Sequence, residues 1–288
     1  MLDYCYLVNP YFNRSGIIDE MQAHFRTLVS EYPAGMAVNS ALASTCWGIK
    51  PEYIIPGNGA AELIKALTEN LDGKVGVVRP TFEEYPNRLS AEQVVTFVPQ
   101  DESFRYGASD MIEFFGANPV ETLLLINPDN PSGNFIPLEG VHQLAQWCEE
   151  RGMRFVLDES FVDFSVGYAH NSFLDNSLME KYPHMCVLKS ISKSYGVPGL
   201  RLGILCSADT DLIARMKKQV SIWNINSFAE FFMQIYPKYR TDYQKACDQF
   251  IQARADFEVA LRKIPFLRVM ASQANYFFLE VLPPYKPK

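Results

Sequence analysis

The chain has 288 residues, 48% of them hydrophobic, and a formal net charge of −7 at pH 7. That length can bury one large core with a smaller second one, and the acidic balance excludes a nucleic-acid surface, which needs a basic face to displace counterions. No apolar run approaches the roughly 20 residues of a membrane span, and no basic-then-apolar leader opens the chain. The six cysteines have no paired spacing and the four histidines are dispersed. Reduced thiols, no metal site and a soluble, cytoplasmic protein are therefore expected.

Residues 1 to 16 carry turn formers (Asn9-Pro10, Asn13, Ser15-Gly16) and little periodicity, as an arm would. Apolar residues at helical spacing predict a helix over Ile17 to Val29, stopped at Tyr32-Pro33, and a second over Met36 to Trp47. Ile54 to Ile64 then runs through Gly57-Asn58-Gly59-Ala60-Ala61 into an amphipathic helix ending near Leu71. Free N–H groups at such a helix start, joined to the positive end of its dipole, can bind phosphate without a charged side chain. The plainer reading is a tight turn.

From here strands and helices alternate. Strands are predicted at Lys74 to Val78, Val94 to Val98, Glu121 to Ile126, Phe155 to Leu157, Met185 to Leu188 and Leu202 to Cys206. Between the earlier ones lie helical stretches at Phe82 to Leu89, Asp110 to Phe115 and Leu138 to Glu150. The pattern implies an α/β fold with a mostly parallel sheet covered on both faces, and ligands bind beyond the carboxyl ends of such strands. The polar motifs fall at those ends: Pro80 to Tyr85, Asn127 to Gly133, Asp158-Glu159-Ser160-Phe161, and Lys189 to Gly203 around Lys193.

Lys193 is the centre of this set. An amine attacks a carbonyl usefully only when desolvation or a neighbouring cation lowers its pKa, and Arg201 is a candidate neighbour. Singly, each group has an ordinary reading: Lys193 on a surface turn, Tyr85 as a core aromatic, Asn127 to Gly133 as a proline turn, Asp158 as a cap. Together they match one heterocycle. Tyr85 could stack on its face, Asn130 donate to a phenolic oxygen, Asp158 pair with a protonated ring nitrogen and Lys193 form a Schiff base with the aldehyde. Gly59, Ala60, Ala61, Ser190, Ser192 and Arg201 would hold its phosphate. The ligand expected is pyridoxal 5'-phosphate.

These motifs, with Tyr32-Pro33 and Ala274-Asn275-Tyr276-Phe277, come in one order along nearly the whole chain. The sequence resembles the class I/II aminotransferases of fold type I, in the branch of histidinol-phosphate aminotransferase and threonine-phosphate decarboxylase. The resemblance implies an N-terminal arm and helix (1–33), a large cofactor-binding domain (34–232) and part of a small α+β domain (233–288). It implies that Lys193, Asp158 and Tyr85 carry the catalytic roles. Ala60, Ala61, Ser190, Ser192 and Arg201 would contact phosphate, Asn130 the phenolate, and Tyr32 the phosphate of a partner subunit in a homodimer. The implied substrate is a small, possibly phosphorylated, amino acid.

Three departures matter. Phe161 stands where family transaminases commonly carry tyrosine, removing a phenolate hydrogen bond worth roughly 1.5–3 kcal/mol when charged; threonine-phosphate-decarboxylase-like members share the phenylalanine. Phe12 follows Asn9-Pro10-Tyr11 where the family usually has glycine. After a helix-rich stretch from Ser227 to Lys263 and strands at Leu267 to Met270 and Asn275 to Val281, the chain ends at Lys288. The arginine that grips a substrate carboxylate in the family cannot be assigned, so a truncation or a protein without that grip is expected. Three functions stay open: an aminotransferase, a threonine-phosphate-decarboxylase-like enzyme, and a non-catalytic module with this fold. Arg14, Arg26, Arg88 and Arg105 are further possible phosphate partners, each more simply read as a solvated charge.

Overall fold

The computed structural model describes residues 8–12 and 16–286; Cys5, Asn13, Arg14 and Ser15 lie outside them. Seven strands form the main sheet: β1 (Ile54–Asn58), β2 (Val75–Val78), β3 (Val94–Phe97), β4 (Thr122–Ile126), β5 (Arg154–Asp158), β6 (Met185–Ser190) and β7 (Leu202–Cys206). Their spatial order is β1-β7-β6-β5-β4-β2-β3, and only β7 runs against its neighbours. A separate antiparallel pair, β8 (Leu267–Val269) and β9 (Leu279–Val281), lies near the end of the chain.

The central strands are apolar on both faces because both faces are covered. Leu123, Leu125, Phe155, Leu157 and Val187 enter one core, while Leu124, Ile126, Val156, Cys186 and Leu188 enter the other. Period-two alternation thus sorts one run of sequence into two cores, each buried leucine contributing roughly 1.5–3 kcal/mol. No helix among the described residues is long and apolar enough to cross a membrane.

Several boundaries differ from those read in the sequence. The first helix is two, α1 (Gly16–Ala23) and α2 (Phe25–Ser30), parted at His24, whose ring nitrogen lies 2.9 Å from the Glu20 carbonyl. α3 (Met36–Trp47) and α4 (Ala60–Thr68) follow. Phe82 to Leu89 forms only a short 3-10 turn at Pro86–Arg88, because Pro86 has no N–H to continue a helix. α5 (Ala108–Ala117) starts earlier than predicted, where the Asp110 carboxylate accepts from the Gly107 N–H at 2.7 Å, and α6 (Leu138–Glu149) follows as read. Two helices escaped prediction, α7 (Asn176–Lys181) and α8 (Thr210–Gln219), both capped by aspartates, Asp175 and Asp209. The helix-rich stretch divides into α9 (Ser227–Ile235) and α10 (Arg240–Leu261). The final strand is shorter than expected, beginning only at Leu279.

One close approach positions everything that follows. A Cβ on Gly203 of β7 would lie 2.6 Å from the Ala60 nitrogen and 2.8 Å from the Gly59 carbonyl carbon, so glycine lets the start of α4 rest directly on the sheet. Gly203→Val should therefore destabilise the fold by about 1–3 kcal/mol in urea unfolding, whereas Gly199→Ala, with open space at its Cβ, should stay within about 0.5 kcal/mol. Equal midpoints for the two variants would contradict the packing argument.

Candidate active site

β5 and β6 pair in parallel with Asp158 opposite Leu188, so the chain leaving β6 turns back across the end of β5. That turn carries Lys193. A cavity of about 310 Å³ opens there, and Lys193, Asp158, Ser160, Ser190, Ser192 and Arg201 all line it, together with Ala60 and Ala61 from α4 and Phe82. Lys193 is half-buried, and its Nζ sits 3.8 Å from the Phe161 ring centroid and 5.7 Å from that of Phe82. Burial lowers its pKa below the ordinary lysine value and the Asp158 charge opposes this; burial prevails. A cation against a desolvated aromatic face gains about 2 kcal/mol, which acts in the same direction as the Asp158 charge.

Asp158 is held on both oxygens. Oδ1 accepts from the Ser160 N–H at 2.8 Å and Oδ2 from the Tyr85 hydroxyl at 2.9 Å. Burial and the adjacent carboxylate push the Tyr85 pKa far up, so the phenol stays neutral and remains a donor. The aspartate is thus fixed in place while still facing the cavity.

The other end of the cavity suits an anion. Gly59, at φ +76°, begins α4 without a side-chain cap, and the Arg201 guanidinium packs where its Cβ would be. Glu62 instead accepts from the Asn58 N–H at 2.7 Å and from the Asn224 amide at 2.8 Å, leaving the first N–H groups of the helix without a side-chain cap. The Ser192 hydroxyl is buried with no hydrogen-bond partner among the described residues. A buried hydroxyl is costly unpaired, and here it stands beside helix N–H groups and a guanidinium, so the donor set fits a phosphate.

Not every residue singled out in the sequence reaches this cavity. Lys193, Asp158, Ala60, Ala61, Ser190, Ser192 and Arg201 converge on it. Tyr85 does not: its ring is buried in the core and only its hydroxyl reaches back to Asp158. The aromatic on the wall is Phe82, three residues earlier in the same motif, and spacing alone could not choose between the two rings. Phe161 lies under Lys193, and Asn130 is half-buried in the loop after β4, off the cavity lining. Tyr32 is 81% exposed, its ring 4.7 Å from that of Trp223 and away from this cavity. Arg88 pairs with Glu84, and Arg26 and Arg105 are exposed. A larger opening of about 530 Å³, rimmed by Asp101, Arg105 and Asp110, has no lysine on its lining.

The sequence reading missed a polar network beneath the lysine. Lys189 and Asp163 form a buried ion pair at 2.7 Å, Ser194 donates to the same carboxylate at 2.8 Å, and Tyr243 of α10 lies 2.9 Å from the Ser194 hydroxyl. Beside it Glu159 is buried, accepting from the Ser172 hydroxyl and the Phe173 N–H, both at 2.6 Å. Burial raises its pKa to about 7, against the pull of Lys189.

A mostly parallel sheet that delivers a desolvated lysine, an anchored aspartate and an anion cup to one edge is the architecture of the fold type I pyridoxal-phosphate enzymes. The chain belongs to the aminotransferase class I and II family, whose model matches residues 27–288. It is 33% identical over 281 residues to a CMP-5'-(3-aminopropyl)phosphonate synthase of Streptomyces rubellomurinus, covering 97% of this chain and 44% of that protein. It is 28% identical to an L-serine phosphate decarboxylase of Sulfurospirillum multivorans, covering 97% of this chain and 74% of that one. The solved structure of a decarboxylase from that organism superposes with a TM-score of 0.88 at 29% identity, over 99% of this chain and 75% of the other. The chain spans under half of the Streptomyces protein. Relatives named threonine-phosphate decarboxylase and histidinol-phosphate aminotransferase place it in the branch that its motifs resemble.

Glu159 generates a prediction with a definite sign. Its folded pKa, about 7, lies above its ordinary 4.5, so the folded state holds the proton more tightly. Its contribution is present below pH 4.5 and lost as pH rises to about 7, by up to about 3 kcal/mol. Glu159→Gln should remove that part of the pH dependence in denaturant unfolding; an unchanged slope between pH 4.5 and 7 would show that Glu159 does not titrate there.

Proposed function

We propose that this protein is a pyridoxal-phosphate-dependent decarboxylase of a small amino acid bearing a phosphate or phosphonate group. The observation that carries the reading is the Lys193 amine, desolvated against the Phe161 ring at 3.8 Å, sharing one cavity with Asp158 and the unpartnered Ser192 hydroxyl. Lys193 would hold the cofactor, Asp158 would keep its ring nitrogen protonated, and Ser190, Ser192, Arg201 and the N–H groups of Ala60 and Ala61 would hold its phosphate. Phe82, rather than Tyr85, would cover the ring; Tyr85 would keep Asp158 aimed through its hydroxyl. Asn130, in the loop after β4, is kept as the partner of the phenolate. When bound, the cofactor supplies an electron sink for the pair left on the substrate's α-carbon.

The residues of this chain favour loss of carboxylate. Phe161 brings a ring and no hydroxyl to the face that Lys193 occupies, and Val8 and Phe82 add apolar surface to the cavity. A carboxylate gives up its charge as carbon dioxide most readily where water is excluded. Lys193 Nζ then delivers a proton to the α-carbon in place of the lost group. The substrate class is supported by the names of the relatives, one a phosphonate synthase and one a serine phosphate decarboxylase. Transamination is the second reading, favoured by the lowered pKa of Lys193, since a neutral amine can take the α-proton instead.

Tyr32 points to a homodimer. It stands in an exposed apolar patch with Phe25, Val29, Ile222 and Trp223, which suits a second copy, and Tyr32 would serve that copy's phosphate. The large domain at 34–232 would then carry the cofactor and 233–288 part of the small one. Five buried cysteines kept as thiols fit a reducing compartment, the cytoplasm.

Added pyridoxal phosphate should give a visible absorbance band that Lys193→Ala lacks, and that variant should lose about a hundredfold to ten-thousandfold in kcat. With phosphoserine or phosphothreonine, carbon dioxide and amine should form in equal amounts; oxo-acid formation without carbon dioxide would assign the protein to transamination. Mixing Lys193→Ala with Tyr32→Ala chains should restore activity that neither has alone, and failure to complement would remove Tyr32 from a shared site.

A further inference from the structure

Phe12, which follows the turn formers Asn9 and Pro10 in the arm, is 1% exposed. Three tyrosine rings enclose it edge-on, Tyr243 at 5.3 Å, Tyr195 at 6.3 Å and Tyr236 at 6.5 Å, with interplanar angles of 80–81°. One of those rings belongs to the lysine turn and a second, on α10, is tied to it. Tyr195 is the second residue after Lys193 and stacks on Tyr243 at 4.1 Å, while Tyr243 also lies 2.9 Å from the hydroxyl of Ser194, the residue next to Lys193. Three residues before Phe12, the Asn9 N–H donates to the carbonyl of Lys193 itself at 2.9 Å, and Val8 forms part of the cavity wall. The arm therefore touches the lysine turn from two sides, through a backbone hydrogen bond and through a buried ring.

We propose that Phe12 is a positioning residue for Lys193: it pins the Val8 to Phe12 strap into the Tyr195–Tyr236–Tyr243 cage, so that Asn9 holds the Lys193 carbonyl and Val8 closes the cavity. The physical basis is a division of labour. A single backbone hydrogen bond contributes modestly on balance even where it is buried, as at Asn9, whereas a fully buried phenyl ring with edge-on aromatic partners contributes more, so the ring supplies most of the holding energy and the Asn9 bond sets the geometry. Asn9 adds a local lock, its side-chain oxygen accepting from the Tyr11 N–H at 3.0 Å.

This inference rests on Lys193 being the reactive group, and the test separates the two. In Phe12→Ala, amide hydrogen exchange at Asn9 and Tyr11 should accelerate about a hundredfold with or without cofactor, while exchange in β4 and β5 is unchanged. In the cofactor-loaded protein, kcat per cofactor-bearing site should fall about tenfold, and Phe12→Leu, which refills most of the volume, should restore most of both properties. A purely stabilising residue would lower the unfolding midpoint but leave turnover per loaded site unchanged, and that result overturns the proposal, as does unaltered exchange at Asn9. Should Phe12→Ala fail to fold, Phe12→Leu carries the test: it should show both changes in the same direction at a few-fold size, and wild-type values for both would sink the idea. If the wild-type protein binds no cofactor, the functional reading fails, and the exchange result still decides whether Phe12 holds the strap.

Discussion

The desolvation of one amine opposite one fixed carboxylate is the constraint on which the site depends. Burial lowers the Lys193 pKa against the opposing Asp158 charge, and Asp158 is held in place by the Tyr85 hydroxyl and the Ser160 N–H on its two oxygens. The parallel register of β5 against β6 sets that separation. A slip of one residue would turn Asp158 to the opposite face and take the carboxylate away from the amine.

The donors that suit an anion are gathered locally in a chain of net negative charge. The start of α4, the unpartnered Ser192 hydroxyl and the Arg201 guanidinium meet within one cavity, and they can meet because glycine at 59 and 203 removes side chains from the contact. The overall −7 charge would repel a phosphate at long range, but at contact distance a few aligned donors outweigh distant charges screened by salt.

The turn holding Lys193 is braced from beneath by the Lys189–Asp163 pair and Ser194, and from outside by the tyrosine cage and the strap. A buried ion pair contributes little net stability, since desolvation consumes most of the attraction; its directional bonds do more to define one geometry. α10 takes part in both braces through Tyr243, which ties a helix late in the chain to the turn that carries Lys193.

The amino-acid sequence by itself determined the alternation of buried strands and helices, and the set of strand-end motifs that holds Lys193, Asp158, Ser190, Ser192, Arg201 and the Gly59–Ala61 turn, because burial periodicity and glycine turns are local properties of a chain. It also put an aromatic in the Pro80 to Tyr85 motif. The sequence reading chose Tyr85 as the ring on the cavity, whereas the structure puts Phe82 there, since both are aromatic and only packing against Asp158 and the core distinguishes them. The same holds for the Lys189–Asp163–Ser194–Tyr243 network and the cage around Phe12, whose members lie up to hundreds of residues apart. Contacts between such distant side chains leave no periodic trace, because they are fixed by how the layers pack and not by any neighbour along the chain.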